Sequence, residues 1–161
     1  MIYQSGVLTV RTHATRPVHI NALPNQVSIA KLDLVDDYVL VVNSTADAVS
    51  LDGWSLESSR GEQLYHFDST LQLQPFGGCI VVTSGSEDTQ TSALAGVRSE
   101  VGDRVELQHA VWSKRYIWNN QGDTARLLGP EKVVDEVEAS WSEDDEALSR
   151  QSRPQLRRSG E

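Results

Sequence analysis

The chain has 161 residues, of which 39% are hydrophobic and 23% charged, and it carries a formal net charge of −9 at pH 7. This length suits one domain with short extensions and a single hydrophobic core. The negative charge argues against a general nucleic-acid binder and against binding to anionic membranes, because phosphate contacts require clustered Lys and Arg. The single cysteine excludes an internal disulfide and a paired-cysteine zinc site, and its apolar surroundings predict that Cys79 is a buried, unreactive thiol.

Residues 1–26 form the first of three zones that differ in composition. Two short alternating stretches, 8–11 and 18–22, are separated by Pro17. Because proline lacks the N–H that a sheet ladder needs, this zone is predicted to be an N-terminal arm or an edge strand. There is no basic start followed by an apolar stretch, and no apolar run approaches the roughly 20 residues of a membrane span. We therefore expect a soluble, intracellular protein.

Residues 27–138 contain the predicted fold. Short β-rich runs recur about every ten residues with turn formers between them, a spacing typical of a sandwich or barrel; they are 27–33, 38–43, 54–56, 64–67, 80–83, 116–118, 124–128 and 133–137. The alternation in the first half of 27–33 predicts a half-buried strand. Residues 84–111 are less regular and are predicted to be a long connection with at most a helical turn.

The third zone, 139–161, is predicted to be a charged, disordered tail. An acidic block at 143–146 is followed by Arg150, Arg153, Arg157 and Arg158, and aliphatic residues are too sparse to offset the entropy of ordering. Such a tail either solubilises the domain or pairs with a charged partner.

Several pieces of the middle zone, in their order and spacing, resemble the lamin tail domain, the immunoglobulin-like module at the C-terminal end of nuclear lamins. The pieces are 37–43, 51–56, 65–67, 73–75, 117–127 and 133–137. The resemblance implies an all-β, immunoglobulin-like β-sandwich without catalytic activity, and in a eukaryote it is compatible with a nuclear location. No heptad-patterned rod precedes Val27, so the chain is more similar to free-standing versions of the family, and filament assembly is not implied.

Six residues of the resembling pieces are predicted to be structural: Trp54, Trp118, Asn119, Asn120, Gly122 and Asp123. An indole after a glycine turn can fill the space between two sheets. Asn and Gly tolerate left-handed backbone, which favours a tight bend after Trp118. The carboxylate of Asp123 can accept hydrogen bonds from backbone amides in that bend.

The densest aromatic patch supplies the candidate interaction surface, which consists of Trp112, Lys114, Arg115 and Tyr116. Aromatic rings interleaved with cations can stack on sugars, bases or Pro-rich peptides. The alternative interpretation places Trp118 in the core and leaves only Trp112 exposed.

No catalytic, cofactor-binding or metal site is assigned. The four histidines form no metal-binding pattern, and His66, between two aromatic residues of a strand, is predicted to be a surface residue. Asp36 and Asp37 lie between two strands, where aspartate is a common turn residue. A calcium site that they form with Asp33 or Asp103, and a metal pair at His13 and His19, are the alternatives. There is no nucleophile elbow, Walker loop or dinucleotide fingerprint.

Three functions are compatible with these features. The first is a protein-interaction or scaffolding module whose loops or sheet edge bind a partner protein that the sequence does not identify. The second is a nucleic-acid or chromatin-associated domain, which requires a local basic patch such as Arg98, Arg104, Lys114 and Arg115. The third is a carbohydrate- or surface-binding accessory domain.

Overall fold

The computed structural model describes residues 7–11 and 23–140. It contains eleven strands and one helix among these residues: β1 (Val7–Arg11), β2 (Val27–Asp33), β3 (Tyr38–Asn43), β4 (Val49–Ser50), β5 (Ser55–Ser58), β6 (Gln63–His66), β7 (Gln72–Leu73), β8 (Cys79–Ser84), α1 (Glu87–Val101), β9 (Leu107–Ser113), β10 (Gly122–Leu128) and β11 (Val133–Ser140). For β1 only the backbone is described.

The strands form two main sheets that face each other, with a small pair at one end. One sheet has the order β1-β11-β10-β5-β6 and the other the order β2-β3-β8-β9, while β4 pairs with β7. Neighbours are antiparallel except for β1 with β11 and β8 with β9. The predicted all-β, immunoglobulin-like sandwich is therefore confirmed.

The main core lies between the two sheets. It is built from inward-facing aliphatic side chains of both sheets, including Ile29, Val41, Ile80, Leu56, Leu127 and Val137. Burial of this apolar area is the dominant stabilising contribution to the fold. The sheets also meet through hydrogen bonds, since Asp135 of β11 accepts the Ile29 N–H of β2 at 2.8 Å.

A helix stands where a long connection was predicted. α1 begins at the N-cap Ser86, whose hydroxyl accepts from the Thr89 N–H, and ends at Gly102, which has φ 79°. Its buried residues Ala93 and Val97 pack on the outer face of the four-stranded sheet. The prediction was wrong because only one narrow stripe of the helix is apolar, so its 3.6-residue period is weak.

The helix creates a second core and changes the character of the strands beneath it. The sheet side of this core consists of Ala30, Tyr38, Leu40, Val42, Cys79 and Val81. All residues of β2, β3 and β8 are consequently buried, so the prediction of a half-buried strand at β2 was wrong. Burial on both faces explains why β3 and β8 are continuous apolar runs. Cys79 is 1% exposed, and its predicted burial is confirmed.

Strand β9 and the segment after it also differ from the prediction. Residues 107–113 form a strand parallel to β8, joined to it through α1. Residues 116–118, predicted as a strand, instead belong to the connection between β9 and β10. They pair with no strand because the N–H groups of Ile117 and Trp118 are bonded to the carboxylate of Asp37.

Strands of the sandwich include residues on both sides of the range 27–138. β1 occupies the edge of the five-stranded sheet, and β11 continues through Ala139 and Ser140. The stretch 18–22 and the tail from 141 onward lie outside the described residues, and the proposed zone boundaries stay predictions. No helix in the described part of the chain combines the length and the apolar character that crossing a membrane requires.

Candidate functional site

Four aromatic rings line the side of the sandwich where β6 and β9 form the sheet edges. Trp112 of β9 lies edge-on to Trp118, with ring centroids 5.5 Å apart, and 5.6 Å from Tyr65 of β6. Tyr65 in turn lies edge-on to Phe67 at 5.2 Å. Such edge-to-face geometry is favourable for aromatic pairs. The array therefore closes the gap between the two sheets, and Trp112 has a packing role there.

Trp118 is 3% exposed, whereas Trp112 is half-buried and packs against the main core. The structure thus places one indole of the aromatic patch inside the sandwich and the other at its rim. Lys114 and Arg115, which lie between the two indoles in the sequence, are both exposed.

Tyr116 contacts the beginning of α1 instead of the aromatic array. Its hydroxyl lies 3.1 Å from Thr89 Oγ1, and its ring covers Gly85, where an added Cβ would lie 2.7 Å from the ring carbon Cε1. Only glycine fits this position, which also has φ 96°. The four predicted surface residues are therefore close in sequence but differ in their surroundings. Trp112 packs in the aromatic array, Tyr116 contacts the beginning of α1, and Lys114 and Arg115 are exposed.

Strand β9 has a free edge on this side of the sandwich. Cys79 N–H donates to the Glu106 carbonyl, so the amides of alternate residues 106, 108 and 110 point toward β8. The amides of Leu107, His109 and Val111 then point away from β8, where β9 has no strand partner among the residues the structure describes. Unpaired strand edges of this kind are templates for an added strand.

Two buried aspartates hold the connections around this edge. The carboxylate of Asp37 accepts the N–H groups of Ile117 at 2.9 Å and Trp118 at 3.1 Å, and the hydroxyl of Ser84. The Asp37 backbone is left-handed, with φ 58°. The sequence reasoning treated Asp37 as an ordinary turn residue, because nothing local reveals a partner eighty residues away.

The predicted corner after Trp118 is organised by Asp123. Its carboxylate accepts the Asn119 N–H at 3.0 Å, the Arg60 N–H at 3.1 Å and the Ser58 hydroxyl at 2.9 Å. Gly122 has φ 149°, a conformation that favours glycine. Asn119 and Asn120 do not adopt left-handed backbone, which corrects that part of the expectation: the Asp123 hydrogen bonds shape the bend without it.

Trp54 follows the turn at Gly53, which has φ 84°. Its indole is half-buried and packs against the edge of the main core. Its backbone joins two connections, since Trp54 N–H donates to the Leu51 carbonyl and Phe67 N–H donates to the Trp54 carbonyl.

The basic residues of the nucleic-acid hypothesis do not lie together. Arg98 and Arg104 lie in the last turn of α1 and before β9, whereas Lys114 and Arg115 follow β9. A seven-residue strand rises about 3.3 Å per residue, so β9 separates Arg104 from Lys114 by roughly 20 Å. Arg98 acts instead on His109: burial and, secondarily, its positive charge lower the pKa of that imidazole.

No group of three or more His, Cys, Asp or Glu residues within 23–140 has the arrangement of a metal site. Asp33 accepts the N–H groups of Val35 and Asp36 and lies 3.7 Å from the Lys31 ammonium. The carboxylate of Asp37 holds Ile117 and Trp118, and Asp103 is exposed after α1. The calcium hypothesis therefore gains no support. His66 is exposed, as predicted, and the pair His13 and His19 lies outside the described residues.

Two further residues were missed by sequence reasoning. Asp135 is 3% exposed, and burial raises the pKa of its carboxyl to about 6. Asn43 is fully buried and binds three carbonyls through Nδ2. The sequence signals are weak: Asn43 ends an apolar run, and Asp135 lies within one.

The family model described as the lamin tail domain matches residues 11–140 of the chain. No curated protein matches it. The matched range covers the sandwich from the end of β1 to the end of β11 and includes the Asp123 corner and the aromatic array. The lamin tail domain is an immunoglobulin-like, non-catalytic domain that generally mediates protein interactions, and this chain belongs to that family.

Proposed function

We propose that the protein is a non-catalytic protein-interaction module that binds an extended segment of a partner protein along the free edge of β9. The observation that carries the proposal is the orientation of the β9 backbone. The amides of Leu107, His109 and Val111 point away from β8 and have no strand partner in the described part of the chain. Strand addition would satisfy these groups with main-chain hydrogen bonds.

The surroundings of this edge favour a partner segment with acidic residues at one end. Lys114 and Arg115 are exposed directly after β9, where an added strand would leave the sandwich. Val111 is 45% exposed on the same strand and offers an apolar contact. The backbone would supply affinity, and the two cations would set the direction and register of the partner.

A scaffolding role without catalysis is supported by how the buried acidic groups are used. Asp37, Asp123 and Asp135 all accept hydrogen bonds from backbone amides of distant segments. Their carboxylates therefore hold remote segments of the fold together.

Affinity capture from native lysate of the source cells tests the proposal with four baits. These are the full chain, a chain ending at Ser140, the full chain with Val111→Pro, and the full chain with Val111→Thr. Proline removes an outward-pointing N–H, whereas threonine keeps it, so the two variants separate the backbone edge from the side chain.

We expect one partner to be retained by the full chain, the shortened chain and Val111→Thr, and to be lost with Val111→Pro. Retention by Val111→Pro would contradict binding at the β9 edge. Loss with the shortened chain alone would move recognition to residues 141–161. Titration with duplex DNA at low salt is expected to be flat, because the basic residues are divided between the two ends of β9.

A further inference from the structure

Phe76 is displayed to solvent in an unfavourable conformation. Its side chain is 75% exposed, the largest value among the exposed large apolar residues of the described chain. Its backbone has φ 59°, a region where the Cβ of a bulky residue crowds the following carbonyl. Glycine or asparagine is the favoured residue at such a turn position after proline, here Pro75. Phenylalanine is therefore unfavourable at this position for two reasons: its apolar ring is exposed to water, and its backbone is left-handed.

The loop that carries Phe76, residues 74–78, is fixed by hydrogen bonds from the side chain of Asn43. The amide nitrogen Nδ2 of this fully buried side chain donates to the carbonyls of Asp47 at 2.9 Å, Leu73 at 3.0 Å and Gln74 at 3.1 Å. One side chain thus ties the loop after β3 to the loop before β8. A buried hydrogen-bond network of this kind fixes a single conformation.

Backbone contacts complete this support. Phe76 N–H donates to the Thr45 carbonyl at 2.9 Å, and Gly77 N–H donates to the Asn43 carbonyl at 2.7 Å. Gly78 packs so closely that an added Cβ would lie 2.5 Å from the Gln74 carbonyl oxygen. The ring of Phe76 is therefore presented by a preorganised loop, which reduces the entropy that binding would cost.

The charges around the Phe76 loop are mainly negative. Asp47 is exposed on one side. Gly77 also lies next to Val105, since an added Cβ there would be 3.1 Å from Val105 Cγ1, and the segment that carries Val105 includes the exposed residues Asp103, Arg104 and Glu106. Three carboxylates thus accompany one guanidinium. Residues 23–140 as a whole contain eighteen Asp and Glu against eight Lys and Arg.

We propose that Phe76 is the anchor of a second recognition surface, and that its ring inserts into an apolar pocket with a basic rim on a partner protein. A rigid, exposed aromatic side chain is the typical centre of a protein interface. The carboxylates of Asp47, Asp103 and Glu106 complement cations around such a pocket and repel nucleic acid and anionic lipid. The apolar area of the ring, which is exposed in the free domain, is removed from water when the ring enters the pocket, and this burial favours the complex.

Photo-crosslinking of the full chain tests this proposal. Phe76 is replaced by p-benzoylphenylalanine, and Leu64, another exposed apolar residue at 46%, receives the same replacement as the matched control. Irradiation is carried out in native lysate of the source cells, with an excess of unlabelled wild-type chain or of Phe76→Asn chain as competitor. Asparagine tolerates left-handed backbone, so this variant removes the ring and retains the loop.

We expect one protein to be crosslinked at position 76 and not at position 64, and to be displaced by the wild-type chain but not by Phe76→Asn. The purified partner should bind Phe76→Asn at least tenfold more weakly than wild type, and Asp47→Lys and Glu106→Lys should each weaken binding a few-fold. Thermal unfolding of Phe76→Asn at an unchanged or higher temperature would show that the loss is not a folding defect.

Absence of a specific crosslink, equal displacement by Phe76→Asn, or unchanged affinity of the charge variants would overturn the proposal. A crosslink to a second copy of this chain, or binding to vesicles of neutral and anionic phospholipid that depends on Phe76, would replace the partner pocket by self-association or by a lipid surface. Val111→Pro should leave the crosslink at position 76 intact, so this surface and the β9 edge can fail separately.

Discussion

The carboxylate of Asp37 accepts a 3.1 Å hydrogen bond from the backbone N–H of Trp118, although the two residues lie eighty-one positions apart. The neighbouring Ile117 N–H binds the same carboxylate at 2.9 Å. These bonds hold the segment before β10 against the loop between β2 and β3. They position Trp118 beneath Trp112 and thereby shape the edge at which we place partner binding.

Replacement of Asp37 by alanine is expected to destabilise the fold by about 3 kcal/mol or more. It leaves two buried N–H groups without their acceptor and places alanine at φ 58°. Asp37→Asn should cost less, because asparagine tolerates left-handed backbone and keeps one acceptor oxygen. Urea unfolding followed by tryptophan fluorescence measures both. Asp52→Asn, at an exposed turn, is the control and should change stability by less than about 0.5 kcal/mol; equal effects at Asp37 and Asp52 would refute the anchor role.

Trp112→Ala should lower the unfolding free energy by about 2 kcal/mol, because it removes ring contacts to both Trp118 and Tyr65. The estimate is below that for a fully buried tryptophan because Trp112 is half-exposed. Lys114→Ala and Arg115→Ala, at exposed positions, should stay within about 0.5 kcal/mol of wild type. Chemical denaturation of the three variants checks this, and a neutral effect at Trp112 would make it a pure surface residue.

Two glycine substitutions should act in opposite directions. Gly85→Ala places a Cβ 2.7 Å from the Tyr116 ring at φ 96° and should destabilise by about 2 kcal/mol. Gly96→Ala, within α1 and with nothing within 4 Å of the added Cβ, should stabilise by up to about 1 kcal/mol. Thermal unfolding of both variants gives the sign directly. Equal signs would show that α1 or its contact with Tyr116 is wrongly described.

The thiol of Cys79 should react very slowly in the folded protein. Burial, followed by the negative charge of Glu106, raises its pKa from 9.0 to about 11, which lowers the thiolate fraction near neutral pH about a hundredfold. Absorbance with Ellman's reagent at about pH 8 should show reaction at least a hundredfold slower than in urea. Rapid labelling without denaturant would mean that the outer face of β8 opens away from α1.

Asp135 should make the fold more stable as the pH falls. Its pKa in the folded chain, about 6, lies above the value of 3.8 for an unperturbed carboxyl. Its contribution is therefore fully present below about pH 4 and is lost as the pH rises through 6. The quantity to compare is the unfolding free energy of the wild-type chain minus that of Asp135→Asn. This difference should be about 2 kcal/mol larger at about pH 4.5 than at about pH 7.5. Unfolding free energies of the two chains at both pH values give this difference, and a constant difference would contradict the raised pKa.

The class of the fold and most of its strands could be predicted from local sequence patterns. β3 and β8 were recognisable because their apolar, β-branched runs end at turn formers, and this signal is local. The corner at Asp123 and the burial of Cys79 were also accessible, since glycine, asparagine and aspartate have specific backbone roles and a cysteine in an apolar run is usually buried.

The arrangement of the side chains around the site depends on contacts between remote segments and could not be predicted from local patterns. α1 buries just Ala93, Val97 and Thr89, too narrow a stripe to read as a helix, and its packing made β2 a fully buried strand. The loop carrying Trp118 depends on Asp37, and the exposure of Phe76 depends on Asn43, through hydrogen bonds between segments remote in sequence. Local patterns report propensity and burial, whereas the partner of a buried polar group is chosen by the packing of the whole chain.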